Sequence, residues 1–175
     1  MGSLTRRSAC LLACMLLMGL WSAPAHTQDT PHNYLDVVAQ ELLRMSLPAT
    51  CADRIAACHL QHPRPNEPNS TWPIEIRVLA DMQIVQIRFA PFLALPPTEG
   101  LSPHLAQRLL ALNNELVAGK LAWHAASNTI QLTAVLHTDS NFDRKAFRSL
   151  MQGLLVAAEQ MYAELQMMAQ AEKQD

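Results

Sequence analysis

Cys51, Cys58, His59 and His62 lie close enough in sequence to do chemistry together. Thiolate sulfur and neutral imidazole are ligands that zinc and similar metals accept. The spacing C-x6-C-H-x2-H fits no standard zinc pattern. A metal centre, or a small-ligand domain built on the Cys51–His62 cluster, is therefore kept as the alternative. The first reading is a disulfide between Cys51 and Cys58. On one continuous helix, seven residues would hold the two Cα atoms about 10 Å apart, beyond the roughly 7 Å that a disulfide can bridge. A bridge therefore requires the chain to reverse between the two cysteines.

Other reactive side chains are scattered. His104 lies at a helix start, and His124 and His137 lie on strands, with no serine, cysteine or acid at a recognisable nucleophile spacing. Met161, Met167 and Met168 are thioethers that copper would accept, yet their spacing is that of a helix face. Asn113-Asn114 reads as helix-end polarity and local capping, with partner contact as the competing role. Asn69-Ser70-Thr71 matches a glycosylation acceptor and equally a polar loop. There is no Gly-rich phosphate loop, no H-E-x-x-H and no G-x-S-x-G. No catalytic residue and no cofactor is assigned.

The elements that would position these residues follow from periodicity. Thr30-Pro31 reads as a cap plus first-turn proline, and Tyr34, Val38, Leu42 and Met45 share a helical face, giving a helix over 31–46. Residues 49–60 are ambiguous between helical turn, loop and short strand. Residues 61–71 hold three prolines and no large apolar residue, and read as a loop. Ile74, Ile76 and Val78, then Val85, Ile87 and Phe89, alternate with polar residues, an antiparallel hairpin turning at Ala80-Asp81. Pro91, Pro96 and Pro97 close the second strand and bound a loop. Ser102-Pro103 starts another helix, and Gly119 reads as the residue just past its end. Strands over 121–124 and 129–137 flank a turn. The final helix runs from about 143 to 169, with 170–175 a frayed tail. The result is an α+β domain: an antiparallel sheet with helices packed on one face, in the order α-β-β-β-α-β-β-α.

The chain has 175 residues, 13 Lys+Arg against 15 Asp+Glu and a formal net charge of −2. That balance lacks the basic footprint of a nucleic-acid binder. Residues 1–25 carry Arg6 and Arg7, an apolar run from Ser8 to Trp21, and Ala23-Pro24-Ala25 ahead of His26. This is the layout of a secretory signal peptide, and the run is too short for a stable membrane span. A periplasmic or secreted domain over 26–175 is expected. Acylation of Cys14 in Leu11-Leu12-Ala13-Cys14 is the minor alternative, because the apolar run continues past that cysteine. Cleavage would leave Cys51 and Cys58 as the only thiols, and an oxidising compartment favours their pairing.

From Ala111 onward the pattern becomes specific. Leu112-Asn113-Asn114-Glu115-Leu116, then Gly119-Lys120-Leu121-Ala122-Trp123, then the alternating strand at 129–137 and the long helix, resemble the YbjN domain family of bacteria. That family is similar in fold to class I type III secretion chaperones, whose element order is the one derived above. The resemblance implies a small, non-enzymatic module, often a homodimer, that binds a protein or peptide segment. Two features depart from it: the chaperones are cytoplasmic, whereas this chain carries an export signal, and the Cys51/Cys58 pair is not part of the family pattern.

Overall fold

A computed structural model of the chain describes residues 33–65, 67–96, 100–139 and 141–171. Residues 1–25, expected to be a leader, Cys14, and the expected Thr30-Pro31 cap lie outside these residues. Among the described residues, three helices, α1 (Leu35–Arg44), α2 (Pro103–Glu115) and α3 (Arg144–Ala171), cover one face of a sheet. The sheet comprises β1 (Ala49–Ala52), β2 (Ala57–Arg64), β3 (Glu67–Leu79), β4 (Ile84–Ala94), β5 (Lys120–His124) and β6 (Thr129–His137). All pairings are antiparallel, in the spatial order β1-β2-β3-β4-β6-β5. The element order is the expected one with one strand more before α2: residues 49–60, expected to hold at most one strand, resolve into β1 and the start of β2.

Strict alternation builds the core. Trp72, Ile74, Ile76 and Val78 of β3, Val85, Ile87 and Phe89 of β4, and Ile130, Leu132 and Ala134 of β6 are buried under the helices. Glu75, Arg77, Gln86 and Arg88 occupy the opposite face, where Arg88 pairs with Glu75. α3 presents Phe147, Met151, Leu154, Ala158, Leu165 and Ala169 to the sheet at spacings of three, four and seven residues. An aromatic knot of Trp72, Phe89, Phe92 and Tyr162, with ring centroids 5.3 to 6.5 Å apart, fills the centre. A bidentate pair between Arg108 and Glu164, at 2.5 and 2.9 Å, fastens α2 to α3.

Three hairpins, β1–β2, β3–β4 and β5–β6, share one loop design. Asp53–Ile55, Ala80–Met82 and Ala125–Ser127 each form a single 3-10 turn, followed by a left-handed residue at Ala56, Gln83 or Asn128. Glycine is the usual solution for that backbone; the sequence nevertheless marks the turns at 80–83 and 125–128, and leaves only the one at 53–56 open.

Five boundaries differ from expectation, the first four for a physical reason. α1 begins at Leu35, where the Asn33 side chain accepts the Leu35 N–H at 3.1 Å. Residues 61–64 and 67–71 are not a loop: they form the distal arms of the β2–β3 hairpin. Val78 N–H donates to the Ala56 carbonyl, so residues 56, 58, 60 and 62 carry the β2–β3 hydrogen bonds by alternation. Pro63 and Pro73 fall at the alternate positions, where the ladder needs no N–H. Likewise β4 does not stop at Pro91. It continues to Ala94 through a register shift between Phe89 and Leu93, and the Trp72 indole satisfies the Phe92 carbonyl there at 3.1 Å. Gly119 is not the helix-end residue either. α2 ends at Glu115 and Gly119 sits in the following turn with φ of 84°. At the far end, Gln170 and Ala171 are still helical, and the rest of the expected tail lies outside the described residues.

A β-carbon at Gly119 would meet Leu154 Cδ2 and the Thr133 carbonyl oxygen at 2.8 Å each. Gly119→Ala is therefore expected to cost about 2–4 kcal/mol, combining left-handed strain with overpacking. Urea unfolding of the purified variant reads this directly.

Candidate functional site

Cys51 and Cys58 face each other across β1 and β2, and their sulfurs form a disulfide, with Cα atoms 3.9 Å apart. The chain reverses between them through Asp53–Ala56. By the alternation fixed above, this is a position without backbone hydrogen bonds between β1 and β2, where opposed residues approach most closely. The structure does not gather the four-residue metal cluster. Both sulfurs are consumed, and His59 is exposed on the face opposite buried Cys58. His62 stacks parallel to Trp72, and its Nε2 lies 3.5 Å from Glu159. Among the described residues no group of three or more candidate ligands converges. His104, His124 and His137 remain apart. Met161 is buried in the core, Met168 is partly buried and Met167 is exposed.

Asn113 has a role that capping logic missed. Leu121 N–H donates to its Oδ1 at 2.7 Å, and its Nδ2 donates to the Leu121 carbonyl at 2.9 Å. The side-chain amide thus pairs with the outer edge of β5 as a neighbouring strand would. β5 is a terminal strand of the sheet, and the other residue with outward backbone groups is Trp123. One edge of the sheet is therefore largely closed by a single side chain.

The opposite edge is different. β1 pairs only with Ala57–Leu60, so β2 runs on through Gln61–Arg64 without an outer neighbour. Gln61 N–H, Gln61 C=O and Pro63 C=O point away from β3, and no residue of β1 is paired opposite them. Beside this free end lies a cleft of about 360 Å³, lined by Arg64, Glu67, Leu93, Leu95, Tyr162 and Gln166 among others. Its polar wall is a connected network. Gln166 Nε2 and Tyr162 Oη donate to Glu67 Oε1 at 2.6 and 3.1 Å. Arg64 Nη1 donates to Tyr162 Oη at 3.1 Å, and the guanidinium lies over the tyrosine ring. Burial alone would raise the Glu67 carboxyl, but hydrogen bonds from Gln166, Ser70 and Tyr162 and the Arg64 charge outweigh it and hold it below the usual range. Burial pushes the Tyr162 hydroxyl up, reinforced by its bond to Glu67. Glu67 is thus an anion, and Tyr162 keeps its proton.

A second polar cluster also escaped the sequence reading. Glu41 is fully buried and takes three guanidinium groups: Arg44 at 2.5 Å, Arg144 at 2.8 Å and Arg148 at 2.5 Å. The Arg144 bond foremost, with Arg148 and Arg44, overcomes the penalty of burial and lowers the carboxyl below its ordinary value. The signal was a glutamate at the helical position between Val38 and Leu42, inside the apolar face of α1.

Two outcomes follow. The double variant Cys51→Ala/Cys58→Ala is expected to lose about 2–3 kcal/mol of stability. The intact protein should weigh two protons less than its reduced form and carry no zinc; free thiols with stoichiometric metal would contradict the disulfide. Asn113→Ala removes both clamps on Leu121 and is expected to cost about 1–3 kcal/mol. By baring the β5 edge it should also raise self-association in light scattering.

No protein-family model and no curated protein sequence matches the chain. Solved structures do. ExsC, in the crystal structure of the ExsC–ExsE complex, superposes with a TM-score of 0.55 at 16% identity, over 78% of this chain and 96% of that one. YbjN from E. coli gives 0.49 at 16% identity, over 74% and 92%. SpcU, in the ExoU–SpcU complex from the type III secretion system of Pseudomonas aeruginosa, gives 0.47 at 18% identity, over 73% and 93%. With its six-stranded antiparallel sheet and helices on one face, the chain has the type III secretion chaperone-like fold.

Proposed function

We propose that this chain is an exported, non-catalytic module that captures an extended segment of another protein, and that it works as a homodimer. The observation that carries the reading is the asymmetry of the sheet edges. Asn113 occupies the outer backbone groups of Leu121 on β5, whereas Gln61 and Pro63 of β2 stay open beside a cleft. A partner strand laid in line with β1 would pair with Gln61 and the Pro63 carbonyl, and its next side chains would enter the cleft against Leu93, Leu95 and Tyr162. ExsC, which shares the fold, is solved in complex with ExsE, and this supports protein binding as the activity. The leader at 1–25 supports export. A groove of about 690 Å³ between the α2–β5 turn and α3, bordered by exposed Val117 and Val156, supports the dimer.

The test is site-resolved capture. The chain is expressed with its leader, and a photocrosslinking amino acid replaces Gln61 in one variant and Trp123 in another. Irradiation of periplasmic extract is expected to trap one discrete protein through position 61 and none through position 123. The recovered mature chain should begin at His26, and light scattering should give twice the chain mass. Trapping through position 123 alone, or none through either with a monomeric mass, would contradict the proposal.

A further inference from the structure

The Glu41 cluster holds more positive charge than its own carboxylate can use. One buried anion receives three guanidinium groups, whose side chains are 59%, 42% and 39% exposed for Arg44, Arg144 and Arg148. Each arginine gives one nitrogen to Glu41, and no other hydrogen bond or ion pair of these three is found among the described residues. Holding α1 to α3 needs only one such bond.

The arrangement also opposes local preference. Arg144 and Arg148 are four residues apart on one helix, a like-charge spacing that destabilises an isolated helix. Both lie in the first two turns of α3, with exposed Lys145 between them, at the end where the helix dipole already places positive charge. The first turn holds no acid, and only the capping residue Asp143, whose Oδ1 accepts the Lys145 and Ala146 amides at 2.8 and 2.9 Å, offsets it. Places where a sequence breaks local rules without structural return are where function is to be sought. Glu41 acts here as an internal strut. It fixes three flexible guanidinium groups in one place and leaves their remaining donors facing solvent, so that an incoming carboxylate meets donors already ordered.

We infer that Arg44, Arg144, Lys145 and Arg148 form a docking patch for an acidic stretch of the partner protein. Consecutive Asp or Glu side chains supply several carboxylates at the spacing of a polypeptide, matching a patch spread over two helix ends. The inference rests on the protein-binding reading and adds the chemistry of the partner.

The probe is a fluorescently labelled hexaglutamate peptide, titrated with the purified protein at low ionic strength and followed by anisotropy, with hexalysine as the opposite-charge control. Binding is expected for hexaglutamate only and should weaken as salt is raised. Arg144→Gln/Arg148→Gln should weaken it roughly tenfold, the sum of two modest surface contacts. Arg77→Gln, on the far face of the sheet, should leave it unchanged. Glu41→Gln should weaken it by releasing the guanidinium groups that the carboxylate holds in order, while the steepness of the salt dependence, set by the three arginine charges, stays as it was. If the double variant unfolds because Glu41 is left short of partners, the triple variant with Glu41→Gln keeps the shape without the orphaned charge and must still bind weakly. Absence of hexaglutamate binding, insensitivity to the arginine changes, or equal competition by inorganic phosphate would overturn the inference. So would arginine-dependent binding to phosphatidylglycerol vesicles without peptide binding. Capture through position 61 that survives the arginine variants would sink this patch and leave the edge-capture reading standing. Peptide binding without any captured protein would do the reverse.

Discussion

Backbone amides at the margin of a β-sheet must be paired, covered or left as a template, and the rest of this molecule is organised around that requirement. A sheet covered by helices on one side has two margins. At β5 the solution is local: one asparagine side chain reproduces the bonds that a seventh strand would make at Leu121. At the other margin, β1 ends after four residues and the disulfide secures it to β2. Beyond Leu60, β2 continues alone. The closed margin and the open one thus lie at opposite ends of the same sheet, and the cleft adjoins the open one.

The polar clusters gain meaning from where they lie along α3. Arg144 and Arg148 sit at its start, and Tyr162 and Gln166 lie four to five turns later beside β2 and β3. At both ends an acid from elsewhere in the fold, Glu41 or Glu67, is taken up by α3 side chains. In both cases hydrogen bonding outweighs burial and keeps the acid ionised. The helix therefore orients its own neighbours as well as covering the sheet. Between these ends its buried residues Met151, Leu154 and Ala158 are apolar, and Glu159 lies beside His62 on the outer side.

Much of the fold was legible because its signals are local. Alternation at 74–78 and 85–89 gave the two strands of the central hairpin, and the α3 stripe from Phe147 to Leu165 gave the longest helix. Ser102-Pro103 marked the start of α2, and Ser102 Oγ accepts the Leu105 amide there. Misreadings came where a residue's effect depends on which side of a ladder it occupies. Pro63 and Pro73 look like strand breakers until the pairing shows that neither N–H was needed. Pro91 lies within a register shift that a single strand's periodicity cannot reveal. The site was less visible than the fold. Asn113 stood out by type, yet its partner Leu121 is reached only through the turn at Gly119, and Glu41 meets Arg144 and Arg148 from more than a hundred residues away. Contacts of that separation leave no spacing to read.

The account's central claim, that one sheet margin is sealed by Asn113 and the other left open at the end of β2, is tested most directly by residue-resolved amide hydrogen exchange on the free protein. The Leu121 amide should exchange as slowly as that of Leu132 in β6, while the Gln61 amide should exchange at close to the rate of an exposed loop. A Gln61 amide as protected as Leu132, or a Leu121 amide as open as Trp123, would contradict it.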